Sequence, residues 1–505
     1  MGATIATLLF SFIKESIFAN YYGASYVTDA YTIAIQIPVT LFSVFSTAVS
    51  NVVLPYYSKK INSEGKESAS AYISNVMTIL TLISIVVVLI MEVFAEAVIT
   101  IFAPGLTVQA KEMATLLFRL VLPKIVLSQL ININSAVLDV HKKFLLPMLS
   151  SIILNSVFIS FLCLLSNHWG IYAAVAGVLI GTALELIYSL VLRRRYVKYK
   201  WRCQFRDKDT IESVKKTAPV CVGIGVEEIN KTIDSVISSF LTSGSVTMMS
   251  YASKLTSAIS SLLIGAIAKV AYPEFAESAA KKDEKGMADN FLYILKVVLL
   301  IFPSVVAGGI VLSKEIVSIV YFRGEFTLDT VLSTAPIFVA YLSCLIFRAF
   351  RQNASRVFYS YGDTKTPMKN TFVGLIINTA LDLALFKIFG AAGIAWATTA
   401  SYMAISFLLA LQLRKKNHYI CFRNVLPMFV RVLIANLGMI GTIFVIKYLF
   451  VQFGWYDLTN LISMIGIVLS SVVLGIIVYF GILLILKTEE VVKICRFFLK
   501  KNNTT

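Results

Sequence analysis

Two stretches of this 505-residue chain carry no charge over lengths that a water-exposed segment does not sustain. Phe144 to Leu184 contains no Asp, Glu, Lys or Arg, and neither does Leu458 to Leu486. A helix needs roughly 20 apolar residues to cross a hydrocarbon core of about 30 Å, and both stretches exceed that. Every backbone N–H and C=O in such a core must be bonded inside the protein, which favours helices. The whole chain agrees, being 58% hydrophobic and 14% charged with a mean hydropathy of +0.81. A soluble globule of this size has too little polar surface for that composition. The sequence reads as an all-α polytopic membrane protein.

Apolar runs between turn signals predict about fourteen transmembrane helices. They fall near 2–21, 28–57, 70–102, 110–140, 144–167, 170–195, 210–242, 246–278, 288–312, 330–360, 366–389, 392–414, 426–451 and 458–486. The second and eighth are long, as tilted or protruding helices are. Met1 leads straight into an apolar helix without a basic leader, so the expectation is either an uncleaved first span or a chain that lacks a few native N-terminal residues. The net charge of +17 is concentrated at Lys59/Lys60, Lys142/Lys143, Arg193 to Arg195, Lys281/Lys282, Lys365/Lys369, Arg414 to Lys416 and the tail from Lys487. These clusters sit at every second connection, which is the positive-inside pattern and places both termini in the cytoplasm. Basic residues spaced this way face anionic headgroups, so nucleic acid is not expected as a partner. The six cysteines form no CxxC pair and the three histidines stand apart, which leaves no zinc or haem spacing.

The chain also repeats itself. Ala48 to Lys60 ("AVSNVVLPYYSKK") returns as Ala266 to Ser278 ("AIAKVAYPEFAES"), so that Pro55 answers Pro273. Gly170 answers Gly390, Pro147–Met148 answers Pro367–Met368, and the basic end at Arg195 answers that at Lys416. An offset near 220 residues is kept throughout. Each copy holds six predicted spans, an even number, so both enter the membrane from the same side as parallel repeats. The expected organisation is an N-lobe at 1–200, a C-lobe at 201–420, and two extra helices with a basic tail at 421–505.

Ionisable groups inside spans are expensive and are commonly functional. Asp234 lies mid-span in the seventh helix, and Asn378 and Asp382 lie one turn apart in the eleventh, on one helical face. Thr398 and Thr399 follow in the twelfth. Oxygen donors of this kind suit a small hard cation, or they can be held by neighbouring hydroxyls. The first copy is charged differently, with Lys14 and Glu15 in the first span and Asp29 opening the second. Adjacent helical residues point about 100° apart, so Lys14 and Glu15 are not expected to pair. Lys254 and Lys269 lie in the eighth span, and Arg348, Arg351 and Arg356 in the tenth. Basic groups facing a wet cavity attract phosphate, whereas Arg356 and Lys269, near span ends, are placed to snorkel. "FRGEFT" (Phe322 to Thr327) and "YGDTKTP" (Tyr361 to Pro367) read as structural turns, Thr366 being the expected cap of the eleventh span.

"NYYGASYVTDAYTIAIQIP", "LTSGSVTMMSYASKL", "AKVAYPEFA", "FRGEFT" and "FYSYGDTKTP", in this order, resemble the MurJ/MviN family of lipid II flippases in the MOP superfamily. The resemblance covers nearly the whole chain. It implies two six-helix lobes around a cavity for a pyrophosphate–sugar headgroup, with the last two helices forming a groove for a polyprenyl tail. It implies substrate contacts at Lys14, Glu15, Asp29 and Lys254. It also implies a sodium site at Asp234, Asn378, Asp382 and Thr398, completed by the Ile394 carbonyl, so that Na+ is the possible coupling ion and no other cofactor is expected. The implied partner is an undecaprenyl-pyrophosphate-linked glycan within the bacterial cytoplasmic membrane, handled by a monomer. The sequence departs from the family in lacking arginines near Leu8 and Phe42 and an acid near Thr47, and in carrying lysine at both matched basic positions. Lysine lacks arginine's bidentate grip on phosphate. A flippase for a capsule or exopolysaccharide lipid is therefore the alternative substrate reading, with a cation-coupled drug exporter behind it. The predicted outside connections are short, the longest at about Val311 to Asp329, and none combines a carboxylate pair with a histidine, so no enzyme is expected.

Overall fold

The computed structural model describes residues 2–48, 53–204, 225 and 228–492. Helices follow one another as α1 (Gly2–Tyr22), α2 (Tyr26–Ala48), α3 (Leu54–Val93), α4 (Ala95–Phe102), α5 (Val108–Val121), α6 (Pro123–Val140), α7 (Leu145–Trp169) and α8 (Tyr172–Arg193). After a helical segment at 228–238 come α9 (Ser245–Ala280), α10 (Glu284–Val311), α11 (Ser313–Tyr321), α12 (Leu328–Ser360), α13 (Lys365–Lys416), α14 (Leu426–Gln452) and α15 (Leu461–Ile485). Among the described residues nine helices are long and apolar enough to cross a membrane, or ten if α5 and α6, bent by 41° at Leu122, form one span. The multi-pass helical class is as expected. The predicted seventh span lies largely outside the described residues, and α13 contains the predicted eleventh and twelfth as one run broken at Gly390.

The boundary between the second and third spans differs from the sequence reading. α2 is described to Ala48 and residues 49–52 lie outside the described residues; α3 begins at Leu54 and runs through the polar stretch to Val93, with a break at Gly65. Lys60 Nζ to Glu64 (2.9 Å) supports the helix before Gly65, and Ser68 Oγ to Glu64 (2.5 Å) ties the polar segment after the break back to it. Polarity alone suggested a loop, but i,i+4 pairs stabilise a helix outside the hydrocarbon as well as inside it.

The duplication is visible in the backbone. Gly170, at the end of α7, has φ 52° and ψ −138°, and its counterpart Gly390 has φ 56° and ψ −139°. A side chain rarely tolerates that conformation. α6 ends with Lys142 N–H on Asp139 O and Lys143 N–H on Leu138 O, both 2.9 Å. α12 ends 220 residues later with Gly362 N–H on Tyr359 O and Asp363 N–H on Phe358 O, again both 2.9 Å. Thr107 caps α5 by accepting from Ala110 N–H, as Thr327 caps α12 by accepting from Thr330 N–H. The expected Thr366 cap is replaced by Asp363, whose carboxylate accepts from the Thr366 N–H (3.0 Å) and hydroxyl (2.7 Å). A carboxylate is the stronger acceptor at a helix N-terminus, and it holds Thr366 as donor.

The chain divides into two compact units, the first comprising Met1–Thr247 with Arg323–Phe326 and the second Met248–Phe322 with Thr327–Thr505. In the second unit α14 and α15 pack on each other and on α10, around Leu300, Met439, Met464 and Leu483. Lys447 lies 2.7 Å from the fully buried Glu315, which also accepts from the Tyr456 hydroxyl, so α14 is fastened to α11 by a buried charge pair.

Candidate functional site

In the first unit, α1 carries the predicted basic residue. Lys14 Nζ lies 3.2 Å from Glu15 Oε1 and 5.4 Å from the centroid of the Phe158 ring. The pairing overturns the sequence expectation. Lysine's long stem can swing back toward its neighbour, and with side-chain exposures of 23% and 10% little water competes for the charge. Phe18, Tyr22, Tyr31 and Phe158 surround this stretch with aromatic rings. Lys14 is thus a half-buried ammonium oriented by a carboxylate in an apolar setting.

Asp29, on the first turn of α2, is 2% exposed. Its Oδ2 accepts from Gly244 N–H (2.6 Å), and its Oδ1 accepts from Thr247 N–H (2.8 Å) and the Thr247 hydroxyl (2.7 Å). A carboxylate is favoured at this place, where free N–H groups and the positive end of a helix dipole converge. Gly244 has φ 90°, and a Cβ there would stand 2.7 Å from the Ala24 carbonyl oxygen, so close backbone approach demands glycine.

The same unit contains a second pair of cross-repeat bonds. Gly105 N–H donates to Ser239 Oγ (3.0 Å), and Glu325 N–H, 220 residues on, donates to Asn20 O (3.0 Å). Arg323 donates to Ser16, two residues beyond Lys14. "FRGEFT" is thus more than a turn: Arg323 reaches across 307 residues to α1, a role with no local signal in its sequence.

In the second unit, Lys254 is exposed on α9, with Nζ 5.8 Å from the centroid of the Tyr251 ring. Tyr251 stacks on Tyr321 at 4.6 Å and accepts the Tyr321 hydroxyl bond on its carbonyl. Asn378 Nδ2 donates to Asp382 Oδ2 (2.6 Å), and both side chains are fully buried. Ser401 Oγ bonds the Gly374 carbonyl (2.8 Å), which sets the register of the two halves of α13 across Gly390. In an antiparallel pair so registered, Thr398 lies level with Asn378, and Ile394 with Asp382. Thr398 Oγ1 donates to the Ile394 carbonyl (3.2 Å), and Ile394 is wholly buried. An amide oxygen, a carboxylate, a hydroxyl and a backbone carbonyl therefore lie on two successive turns of the hairpin, a donor set of the kind that suits a hard cation. Asp234, on the 228–238 segment, belongs to the first unit. No group of three or more His, Cys, Asp or Glu residues occurs at metal-binding spacing among the described residues, so a cation here would rest on amide, hydroxyl and carbonyl oxygens as much as on carboxylates.

A sequence model of the family described as lipid II flippase MurJ matches residues 18–484. The chain is 25% identical over 492 residues to a probable lipid II flippase MurJ of Rickettsia prowazekii, covering 96% of each. It is 29% identical over 404 residues to one from Thermotoga maritima, covering 80% of this chain and 81% of the relative. Among solved structures it matches a lipid II flippase MurJ in an inward closed conformation with a TM-score of 0.81 and 26% identity, over 97% of this chain and 98% of that one. An inward-facing MATE transporter of the MOP superfamily, at 14% identity and a TM-score of 0.71, shares the fold over 82% of this chain and 95% of its own.

Proposed function

The chain belongs to the lipid II flippase MurJ family, and on that premise we propose that it carries lipid II from the inner to the outer leaflet of the bacterial cytoplasmic membrane by alternating access. The observation that carries the reading is the bonding of Asp29 to the 244–247 turn. Alternating access needs contacts that can be made and broken between the repeats, and here one carboxylate and a few backbone groups join the end of the first copy's opening turn to the matching turn of the second.

Lys14 in the first unit, oriented by Glu15, and Lys254 in the second each supply a positive charge suited to a phosphate, and Asp29 braces the 244–247 turn. Lysine acts as a point charge, so recognition rests on potential more than on a bidentate fit. The exposed apolar faces of α14 and α15, including Leu437, Phe444, Leu469 and Ile476, offer a groove for the polyprenyl tail. Asn378, Asp382, Thr398 and the Ile394 carbonyl, all of the second unit, would hold sodium, whose gradient would supply a driving force for the cycle. The protein acts as a monomer with both termini in the cytoplasm. Transport breaks no covalent bond, so no residue is assigned a catalytic role. Relatives named for lipid II favour that glycan over a capsular one.

Native mass spectrometry of the purified full chain tests the substrate. A co-purified polyprenyl-diphosphate bearing a peptidoglycan disaccharide is the expected adduct. A different glycan on the same carrier would overturn lipid II, and failure to support growth of a flippase-depleted strain would overturn the transport reading as well.

A further inference from the structure

Two arginines of α12 converge on one tyrosine of α13. The Cζ atoms of Arg348 and Arg351 lie 5.6 Å and 5.2 Å from the centroid of the Tyr402 ring. Arg351 also donates to Thr371 Oγ1 (3.2 Å). We propose that Arg348, Arg351, Thr371 and Tyr402 form a phosphate-binding site in the second unit, using none of the residues assigned above. The proposal stands on this cluster alone and does not depend on which glycan is carried.

Charge composition gives the first argument. Beyond Asp329, α12 contains three arginines and no acid, and the only acid in α13 is Asp382. Thr371 and Asp382 are eleven residues apart, about 17 Å along a helix. Positive charge is therefore in excess along these two helices.

Rigidity gives the second. Thr399 Oγ1 bonds the Ala340 carbonyl (2.7 Å) and Ser406 Oγ the Phe347 carbonyl (3.0 Å), which locks the Tyr402 turn of α13 onto α12. Below it Asn370 and Gln412 bond each other reciprocally at 2.6 and 3.2 Å, closing the two halves of α13. The guanidinium groups are thus held near one another by the scaffold, although like charges repel. A ring face offsets part of that repulsion. An oxyanion between them would remove it, because each guanidinium carries five donors and can grip phosphate through two at once.

Depth gives the third. Arg351 and Arg348 precede the end of α12 at Ser360 by nine and twelve residues, about 14 and 18 Å. The 33-residue helix is about 50 Å long and outreaches a hydrocarbon core of about 30 Å. With the surplus of about 20 Å shared between the two ends, the pair lies about 4–8 Å inside the hydrocarbon boundary on the side proposed as cytoplasmic, within reach of the interface for arginine's long side chain. Exposed Lys365 and Lys369 at the mouth of α13 raise the potential for an arriving anion.

A phospholipid headgroup and a soluble diphosphate present the same chemistry, so two arms separate them. In the first, native mass spectrometry counts phosphatidylglycerol retained by the delipidated full chain. In the second, inorganic diphosphate is titrated and thermal stabilisation is followed. R348Q/R351Q should weaken one of the two by about tenfold, and R348K/R351K, which keeps charge but loses the fork, should fall between it and the wild type. A loss in the lipid arm identifies a headgroup site, and a loss in the diphosphate arm a soluble or substrate diphosphate site. If the glutamine variant does not fold, the lysine variant decides. Equal binding by wild type and the folded variants in both arms overturns the site.

Discussion

Asp29 and Thr247, 218 residues apart, are joined by two hydrogen bonds to a single carboxylate oxygen, one from the Thr247 backbone and one from its hydroxyl. The other oxygen takes the Gly244 N–H. One side chain of the first repeat thereby satisfies three donors at the start of α9, a helix whose own sequence places no acid in its first turn.

Removing the charge without changing the shape tests that contact. Asp29→Asn should lower the stability of the purified protein by about 1–3 kcal/mol, because a buried donor loses an ionised acceptor. Thr247→Val should cost less, since it removes only the hydroxyl bond. Thermal unfolding in detergent provides the measurement, and an unchanged midpoint in Asp29→Asn would show that these bonds contribute nothing.

The basic pair is tested by charge rather than by shape. Lys14→Ala and Lys254→Ala should each abolish growth of a flippase-depleted strain at matched expression, while arginine at either position should be tolerated. A fully active Lys14→Ala, Lys254→Ala double variant would remove both residues from the mechanism.

Sodium binding is separable from transport. Added sodium should raise the unfolding midpoint of the wild type, as any ligand specific to the native state does. The increment should shrink in Asp382→Asn and Asn378→Ala, with potassium as control. Equal sodium stabilisation in both variants would reduce the Asn378–Asp382 pair to polar packing.

Asp363 makes a pH prediction at the α13 N-terminus. Bonds from the Thr366 hydroxyl and N–H hold its carboxyl below the ordinary carboxylate value. The folded state therefore binds the proton less readily than the unfolded one. The cap's contribution is fully present above the unfolded value of about 3.9 and is lost as pH falls through the lower folded value. Asp363→Asn should lower the unfolding midpoint at neutral pH, and the gap to wild type should narrow as the medium is acidified into that window. A gap that stays constant down to that range would show the cap does not depend on charge.

The membrane class, the duplication and the shared face of Asn378 and Asp382 were legible in the sequence because each depends on neighbours along the chain. A charge-free run has to become a helix in hydrocarbon whatever surrounds it. Asn378 and Asp382 are one turn apart by helical geometry alone, and Gly170 and Gly390 mark equivalent breaks because no other residue fits that backbone readily. The helical α3 extension was hidden because its polar residues suit a loop and a solvated helix equally well.

Other relationships belong to the tertiary structure. Lys14 and Glu15 point apart on an ideal helix, and only the exclusion of water around Phe158 makes their pairing worthwhile. Arg323 finds Ser16, Asp29 finds the 244–247 turn, and Arg348 and Arg351 meet at Tyr402 because packing brings together residues that the sequence leaves dozens to hundreds of positions apart. Periodicity specifies which face of a helix is apolar. The neighbour that face meets is chosen by the collective fit of many helices, and a side chain's partner follows from that fit.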